Sequence, residues 1–197
     1  MSTVKKIITI GPESTGKSTL CGELAAHYQT EWCPEFAREY LSTHGNDYDF
    51  DDLLTIAKGQ LAMEDEYTEK LELEWKMTND GRWVNTHTLL TTSHPPLLFI
   101  DTDMYVMKVW CEYVFGRCHQ FILDAIVNRK YDLYLLCNID LPWVSDPLRE
   151  YPGEKPRREL YSMYSDLLIN QLTPWADISG DYEKRLKTAV DAVSGII

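Results

Sequence analysis

A glycine-bracketed loop near the start of the chain carries the residues most able to do chemistry. Gly11, Gly16, Lys17 and Ser18 match the pattern G-x-x-x-x-G-K-[ST], with an apolar strand pattern before them and a helical pattern after them. Glycines let successive backbone N–H groups point at phosphate oxygens, and the positive end of the following helix favours an anion. Lys17 can reach the β- and γ-phosphates, and the Ser18 hydroxyl can ligate Mg²⁺. The loop therefore predicts a nucleoside triphosphate site.

Three classes of protein use such a loop, and the sequence favours one of them. A switch GTPase would normally carry an N/T-K-x-D motif for guanine, which is absent from the 197 residues. Motor and remodelling ATPases are usually larger and carry further signature elements. A small kinase suits a compact chain. It needs this loop, a carboxylate for Mg²⁺, a group that orients or deprotonates the acceptor, and cations around the moving charge.

The segment LLFIDTD supplies the predicted Mg²⁺ carboxylate. Asp101 follows four apolar residues that resemble a buried strand, and we expect it to hold Mg²⁺ or to take part in catalysis. The alternative is a carboxylate that caps the next helix. Asp103 fits the capping role equally well, and it is also a candidate for holding a substrate hydroxyl. Both residues are therefore candidates for the catalytic site.

The segment WCPEFAREY supplies candidates for binding the acceptor. Glu35, Arg38 and Glu39 are spaced at i, i+3 and i+4, so they share one helix face. They follow a predicted strand, and ligands bind at the carboxyl edge of such sheets. Glu35 could accept a hydroxyl proton or bind a ribose, and Arg38 could hold a phosphate. An ordinary surface ion pair is the alternative.

Residues 148–158, with the sequence LREYPGEKPRR, predict a lid. Their Pro-Gly turn lies among a local cluster of cations in an otherwise acidic chain. Arginine makes bidentate contacts with a phosphoryl group, so Arg149 and Arg157 are candidates for stabilising the transferred charge. Trp143 could stack on a flat ring of the substrate or anchor the loop. Asp146 could likewise contact the substrate or anchor the loop. The alternative for the whole segment is a solvated loop before a helix.

The elements that must position these residues alternate between strands and helices. Such alternation predicts a parallel, doubly wound sheet in a single domain, residues 1–197. Residues 79–96 are rich in turn-forming residues and predict an excursion or hairpin, an insertion in the domain. The predicted strands are 4–10, 31–33, 97–100, 131–137 and 176–179, and the predicted helices are 17–28, 35–42, 51–77, 104–115, 119–129, 157–172 and one from 181 onward.

Composition argues against several classes of function. The net charge of −12 disfavours general nucleic-acid binding, but a few local cations are enough for a small anionic ligand. No apolar run approaches the roughly 18 residues needed to cross a membrane. The first residues lead straight into a strand pattern, so we expect no signal peptide. Five cysteines without a CxxC pair fit reduced thiols in a cytoplasmic protein.

Four segments of the sequence carry a likeness to one family. GPESTGKSTL, PEFAREYL, FIDTD and LPWVSDPLR occur in this order and spacing. In this combination the chain resembles, over nearly its whole length, the ribosylnicotinamide kinase domain of NadR-type proteins. The resemblance implies transfer of the ATP γ-phosphate to the 5′-hydroxyl of nicotinamide riboside, giving nicotinamide mononucleotide in NAD salvage. It also implies an α/β, three-layer P-loop kinase fold with a five-stranded parallel sheet in the order 2-3-1-4-5.

The resemblance also assigns residues to the site, with ATP and Mg²⁺ as cofactors. The implied nucleotide-binding residues are Gly11, Glu13, Ser14, Thr15, Gly16, Lys17, Ser18 and Thr19, and the implied Mg²⁺ ligands are Ser18 and Asp101. Taken together with the candidates from the residues themselves, the predicted catalytic residues are Lys17, Glu35, Asp101, Asp103, Arg149 and Arg157. The predicted acceptor-binding residues are Glu35, Phe36, Arg38, Asp103, Trp143 and Asp146.

The sequence departs from the family pattern at a few places. Pro34 stands where an aromatic residue would stack on the nicotinamide, and Trp32 or Phe36 could take over that role. Pro147 replaces an expected glycine. Family members often carry an adenylyltransferase domain before the kinase, and sometimes a DNA-binding segment. Because this chain starts at the phosphate-loop strand, we expect neither of those activities from it.

Two other functions stay open beside the nicotinamide riboside kinase. One is a kinase for another nucleoside or deoxynucleoside, since a Glu after the second strand would serve the same role there. The other is a nucleotide-binding regulator or ATPase that senses a ligand without phosphorylating it. In each case we expect a small-molecule ligand and no nucleic-acid or membrane partner, and a homo-oligomer stays open.

Overall fold

A five-stranded parallel sheet forms the centre of the computed structural model, which describes residues 3–197. Along the chain the elements are β1 (Lys5–Ile10), α1 (Lys17–Tyr28), β2 (Trp32–Cys33), α2 (Phe36–His44), α3 (Phe50–Glu74), β3 (Trp75–Met77), β4 (Trp83–Asn85), β5 (Thr91–Thr92), β6 (Leu97–Asp101), α4 (Met104–Phe115), α5 (Gln120–Asn128), β7 (Leu133–Cys137), α6 (Glu154–Ile169), β8 (Trp175–Ile178) and α7 (Tyr182–Ser194).

The strand order of the parallel sheet is β2-β6-β1-β7-β8. When these five strands are numbered along the chain, the order is 2-3-1-4-5, so the predicted α/β fold and topology are confirmed. The register pairs Thr9 of β1 with Asp101 of β6, and Ile10 with Leu136 of β7. The loops that follow β1, β6 and β7 therefore leave the sheet at the same edge.

Helices cover both faces of the sheet, which explains the continuous apolar runs in β6 and β7. Side chains alternate across a strand, so Ile8 and Ile100 belong to one buried cluster while Ile7 and Phe99 belong to another. The first cluster includes side chains of α4 and α6, and the second includes side chains of α1 and α7. A third cluster joins α2, α3, α4 and α5.

The helix predicted over 51–77 was too long at its carboxyl end. The backbone becomes extended at Trp75, and residues 75–77 form the first strand of a three-stranded antiparallel sheet in the order β3-β4-β5. Trp75 pairs with Asn85 in this sheet, and Met77 pairs with Trp83. These cross-strand partners lie 6 to 10 residues away, beyond what helical periodicity reveals. The remainder of the sheet, β4 and β5, occupies the turn-rich segment 79–96.

Helix α6 begins at Glu154, three residues before the predicted start, and ends at Ile169. Residues 154–158, which the sequence assigned to a lid, therefore form the first part of a helix. Pro156 is tolerated there because the first N–H groups of a helix have no partner within the helix. Among residues 3–197 no helix is both long and apolar enough to span a membrane.

Asp103 caps the amino terminus of α4. Its Oδ1 accepts hydrogen bonds from the backbone N–H groups of Tyr105 at 2.9 Å and Val106 at 3.3 Å, and its Oδ2 accepts one from the Tyr134 hydroxyl at 2.9 Å. The side chain is buried, and burial raises the pKa of its carboxyl to about 7. The capping alternative from the sequence therefore accounts for Oδ1, and the Tyr134 hydroxyl is the partner of Oδ2.

We expect Asp103→Ala to lower the free energy of unfolding by about 1–3 kcal/mol, because the cap is lost and the Tyr134 hydroxyl is left buried without its acceptor. Asp103→Asn should retain most of the stability, since Asn is an equally good cap. In the wild type the folded carboxyl keeps its proton up to about pH 7, whereas the unfolded one ionises near its usual pKa of about 3.9. Wild-type stability should therefore fall relative to Asp103→Asn as pH rises from about 4 to 7. Urea unfolding of the three proteins at several pH values tests this, and equal stability of Asp103→Ala and wild type would contradict the capping role.

Two helical glycines, Gly59 in α3 and Gly22 in α1, provide a matched pair. A β-carbon on Gly59 would lie 2.2 Å from Cε1 of Phe36, whereas the nearest atom to one on Gly22 is 4.0 Å away, on Trp32. Alanine gains up to about 1 kcal/mol over glycine in a helix, but overpacking typically costs about 1–3 kcal/mol. Gly59→Ala should therefore lower Tm and Gly22→Ala should raise it. Thermal unfolding measures both, and a rise in Tm for Gly59→Ala would contradict the packing of Phe36 on α3.

Candidate functional site

A cavity of about 200 Å³ lies at the carboxyl edge of the parallel sheet. It is lined by the phosphate loop, residues 11–19, by Glu35 and Arg38 of the α2 region, and by residues 148–151. The cavity also has an aromatic wall, formed by Trp110, Tyr113, Tyr151 and Tyr164.

The phosphate loop has the backbone that its glycines predicted. Gly11 and Gly16 have φ values of 140° and 78°, in the region that favours glycine, and Ser14 adopts a φ of 57°. The Lys17 ammonium donates to the carbonyls of Gly11 and Pro12, each at 3.0 Å. The loop therefore holds the Lys17 charge at its own centre, in reach of an anion bound there.

Asp101 and Ser18 meet beside the phosphate loop. The Ser18 hydroxyl donates to Oδ2 of Asp101 at 2.5 Å, while Oδ1 of Asp101 is buried and has no hydrogen-bond partner among the described residues. Burial raises the pKa of Asp101 to about 6, and the nearby Glu35 carboxylate adds to the shift. An unpaired carboxylate oxygen next to a hydroxyl is a donor set that suits Mg²⁺, which takes one or two protein oxygens together with substrate phosphates and water.

In the described part of the chain, no group of three or more His, Cys, Asp or Glu side chains is arranged to hold a metal ion. A cation at Ser18 and Asp101 would therefore complete its coordination from the substrate and from water. This arrangement differs from a dedicated protein cage and matches the way Mg²⁺ is bound at phosphate-transfer sites.

Glu35 and Arg38 enter the cavity from the start of α2. Glu35 occupies the N-cap position of α2, but its side chain makes no capping hydrogen bond, and it lines the cavity. Arg38 is half exposed and pairs with Asp146 at 3.0 Å. That ion pair joins α2 to the 141–151 loop. The hydrogen bond from the Leu148 N–H lowers the pKa of Asp146, and the Arg38 guanidinium lowers it further.

Two arginines of the predicted lid surround Trp143. The guanidinium carbons of Arg149 and Arg157 lie 6.0 and 5.8 Å from the centre of the indole ring, which suits cation–π contacts. Arg149 lines the cavity and donates to the Ser14 hydroxyl at 3.3 Å. Arg157 is only 8% exposed, and burial lowers its pKa. It donates to the Leu141 carbonyl at 3.2 Å, while its Nε has no partner among residues 3–197.

Several residues predicted to touch the acceptor have other partners in the structure. The Phe36 ring packs against Gly59, so it belongs to the core under α2. Trp143 contacts the two lid arginines, and Asp146 pairs with Arg38 and accepts the Leu148 N–H at 2.9 Å. Asp103 caps α4. Acceptor contacts from Phe36, Asp103, Trp143 and Asp146 therefore stay predictions.

The aromatic wall is the part of the site that the sequence analysis missed. Pro34 accepts a hydrogen bond from Gln60, and Trp32 lies beside a groove on the outer edge of the sheet, so neither substitutes for the expected stacking residue. Aromatic rings reach the cavity instead from α4, α6 and the 148–151 segment. The signal in the sequence was the i, i+3 spacing of Trp110 and Tyr113, which also fits an ordinary core-facing helix.

The chain matches one family over most of its length. A family model described as an AAA domain matches residues 6–185. The trifunctional NAD biosynthesis/regulator protein NadR of Escherichia coli (strain K12) is 27% identical over 195 residues, which cover 96% of this chain and 42% of that protein. The chain therefore spans less than half the length of this relative.

Solved structures show the same fold. A NadR protein in complex with NR superposes with a TM-score of 0.74 at 21% identity, covering 98% of this chain and 50% of that one. Thymidylate kinase from Ehrlichia chaffeensis superposes with a TM-score of 0.60 at 12% identity, covering 98% of this chain and 99% of that one. Since the family model spans residues 6–185, the chain belongs to the AAA domain family and is homologous to NadR.

Proposed function

We propose that this chain transfers the γ-phosphoryl group of ATP to the 5′-hydroxyl of nicotinamide riboside. The observation that carries the proposal is one cavity that joins the phosphate loop to Glu35, to Arg38 and to an aromatic wall. Such a space suits a triphosphate at one end and a flat base at the other. The solved complex of NadR with NR supports the choice of acceptor.

The charge of the acceptor also fits the aromatic wall. The base of nicotinamide riboside is a pyridinium cation, and aromatic faces attract cations. The carboxylates of Glu35 and Glu150 line the same cavity as Trp110 and Tyr113. A cationic base is therefore favoured over a neutral one, since the acidic and aromatic side chains both interact with it.

The phosphate end of the cavity would bind and orient ATP. The backbone N–H groups of residues 11–19 would hold the phosphates, and the Lys17 ammonium would leave the carbonyls of Gly11 and Pro12 for the β- and γ-phosphates. Ser18 and Asp101 would hold Mg²⁺, which neutralises phosphate charge when it is bound. Arg149 would stabilise the charge of the transferred phosphoryl group from the opposite side.

The acceptor end would activate the hydroxyl. Glu35 would take the proton of the 5′-hydroxyl while the hydroxyl oxygen forms a bond to the γ-phosphorus. The bond from the γ-phosphorus to the β–γ bridging oxygen would break at the same time. Arg38 would hold either the substrate or the incoming phosphate charge. The products are then nicotinamide mononucleotide and ADP.

The direct test is ADP release with ATP and Mg²⁺ against nicotinamide riboside, uridine, cytidine, thymidine and deoxyadenosine, with products identified by mass. We expect nicotinamide mononucleotide as the main product. Activity on another nucleoside alone would retain a kinase of this fold and discard the proposed acceptor. Tight binding of ligands with no phosphorylated product would favour a regulatory nucleotide-binding protein instead.

Asp101→Asn should reduce transfer by on the order of 100-fold or more, and it should raise the Mg²⁺ concentration needed for half-maximal rate. The reason is that asparagine lacks the negative charge that a hard cation prefers. Steady-state rates across a Mg²⁺ titration measure both effects. Asp191→Asn, at an exposed site on α7, is the matched control. Wild-type rates and Mg²⁺ dependence in Asp101→Asn would remove Asp101 from the metal site.

Trp110→Ala should raise the KM for the acceptor by about tenfold, because stacking of a base on an aromatic ring contributes about 1–3 kcal/mol. The KM for ATP should change little, since the indole belongs to the acceptor end of the cavity. Trp110→Phe retains a ring and should recover much of the loss. Equal effects on the two KM values would place the acceptor elsewhere.

A further inference from the structure

The segment 144–151 makes hydrogen bonds to side chains at two variable positions of the phosphate loop. Oε2 of Glu13 accepts the backbone N–H groups of Glu150 at 3.0 Å and Tyr151 at 3.2 Å. The Ser14 hydroxyl accepts the N–H of Val144 at 2.8 Å. These contacts join positions about 130 to 138 residues apart in the chain, and they use side chains that the phosphate-binding pattern leaves unspecified.

The opposite side of the same segment is bonded to the acceptor side of the cavity. Asp146 pairs with Arg38, the Asn46 amide donates to the Pro147 carbonyl at 2.6 Å, and the Tyr48 hydroxyl donates to Glu150 at 2.9 Å. The segment is therefore a bridge between the loop that would hold ATP and the helix that would hold the acceptor. The bridge carries Arg149, whose guanidinium donates to the Ser14 hydroxyl and to the Val144 carbonyl.

Burial of the Glu13 carboxylate has a cost that its two hydrogen bonds offset in part. Burial raises the pKa of Glu13, while the N–H groups of Tyr151 and Glu150 favour its charged form. A buried carboxylate destabilises the fold unless it accepts hydrogen bonds, and hydrogen bonds to a charged oxygen are among the stronger ones. Alanine at this position would leave two N–H groups of the bridge without their acceptor.

The bridge borders a cavity of about 200 Å³, which is below the roughly 300–1,000 Å³ typical of small-molecule sites. If the segment opens to admit ATP and the acceptor, the contacts that reform when it closes determine the position of Arg149.

We propose that Glu13 and Ser14 are positioning residues that latch the 144–151 bridge onto the phosphate loop. Closure then depends on the conformation of the loop that carries ATP, and it brings Arg149 to the site of phosphoryl transfer. It also excludes water, so that the γ-phosphoryl group passes to the acceptor hydroxyl and not to solvent. The catalytic part of this inference rests on the proposed kinase function, but the latch itself does not.

Hydrogen exchange of the free, full-length protein tests the latch without any substrate. In Glu13→Ala we expect the amides of Glu150 and Tyr151 to exchange about tenfold faster or more, as follows from losing a charge-assisted acceptor. Glu13→Gln should show a smaller increase, because its amide oxygen still accepts. Glu72→Ala, an exposed carboxylate on α3, is the matched control and should leave these amides unchanged. Unchanged exchange at residues 144–151 in Glu13→Ala would overturn the proposal.

Two further measurements separate the latch from a general loss of structure. Amides of β7 should exchange as in the wild type, because that strand is fully buried in the interior of the parallel sheet. If Glu13→Ala does not fold, Ser14→Gly is used instead; glycine accepts the φ of 57° and removes the CH₂OH side chain with its hydroxyl acceptor. It should speed exchange at Val144, and no change there would equally overturn the latch.

Kinetics then test the role of the latch in catalysis. With an acceptor that the wild type phosphorylates, Glu13→Ala should lower kcat about tenfold and raise ATP hydrolysis per transfer. If no acceptor is phosphorylated by the wild type, the proposed function fails while the exchange result still decides the latch. Faster exchange combined with wild-type kcat and no extra hydrolysis would overturn the positioning role.

Discussion

The site depends on how closely the phosphate loop lies against the end of a neighbouring strand. A β-carbon on Gly11 would lie 2.7 Å from the carbonyl oxygen of Cys137, so no other residue fits there without moving β1 or β7. Gly11 also has a φ of 140°, which side-chain-bearing residues rarely adopt. This close approach fixes where the loop begins at the centre of the sheet. It thereby also limits where the backbone N–H groups of the loop can lie.

A buried arginine fixes the other end of the loop. Arg185 of α7 is 3% exposed and donates to the carbonyls of Thr15 at 2.9 Å, Asn138 at 2.8 Å and Gly180 at 2.8 Å. It also pairs with Asp140. A buried guanidinium needs nearly all of its donors satisfied, and here they join the phosphate loop to the ends of β7 and β8. In the sequence this arginine is indistinguishable from the exposed cations of the same amphipathic helix.

Features that depend on residues close together in the chain could be predicted from the sequence, whereas most features that depend on distant residues could not. The phosphate loop, the strand before Asp101 and the helix from Met104 to Phe115 are determined by neighbouring residues, and local patterns were sufficient for them. The sheet order needed only the general rules for parallel α/β folds and the family resemblance. The end of α3 was missed because Trp75 leaves the helix for strand partners that local periodicity does not show.

The composition of the site was harder to predict for the same reason. Whether Trp110 faces the core or a cavity depends on what lies opposite it, and the opposite wall is the 148–151 segment, nearly 40 residues later. The same holds for Phe36, whose ring was expected at the substrate but fills the space that Gly59 leaves. A single sequence shows that a side chain is apolar and which face of a helix it shares. It does not show whether that face meets protein or ligand.

Electrostatics explain how an acidic chain can hold an anionic substrate. The net charge of −12 belongs to the whole molecule, whereas Lys17, Arg38 and Arg149 all line one cavity. Screening limits the influence of distant surface carboxylates to about 10 Å at ordinary salt. The charges that line the cavity therefore determine the local potential, and they include Glu13, Glu35 and Glu150 beside the three cations. The carboxylates inside the cavity act differently. Burial and Glu35 raise the pKa of Asp101 to about 6, so a cation beside Asp101 would favour its ionised form. A buried carboxylate beside a cation is therefore easier to keep charged than one that faces only another carboxylate.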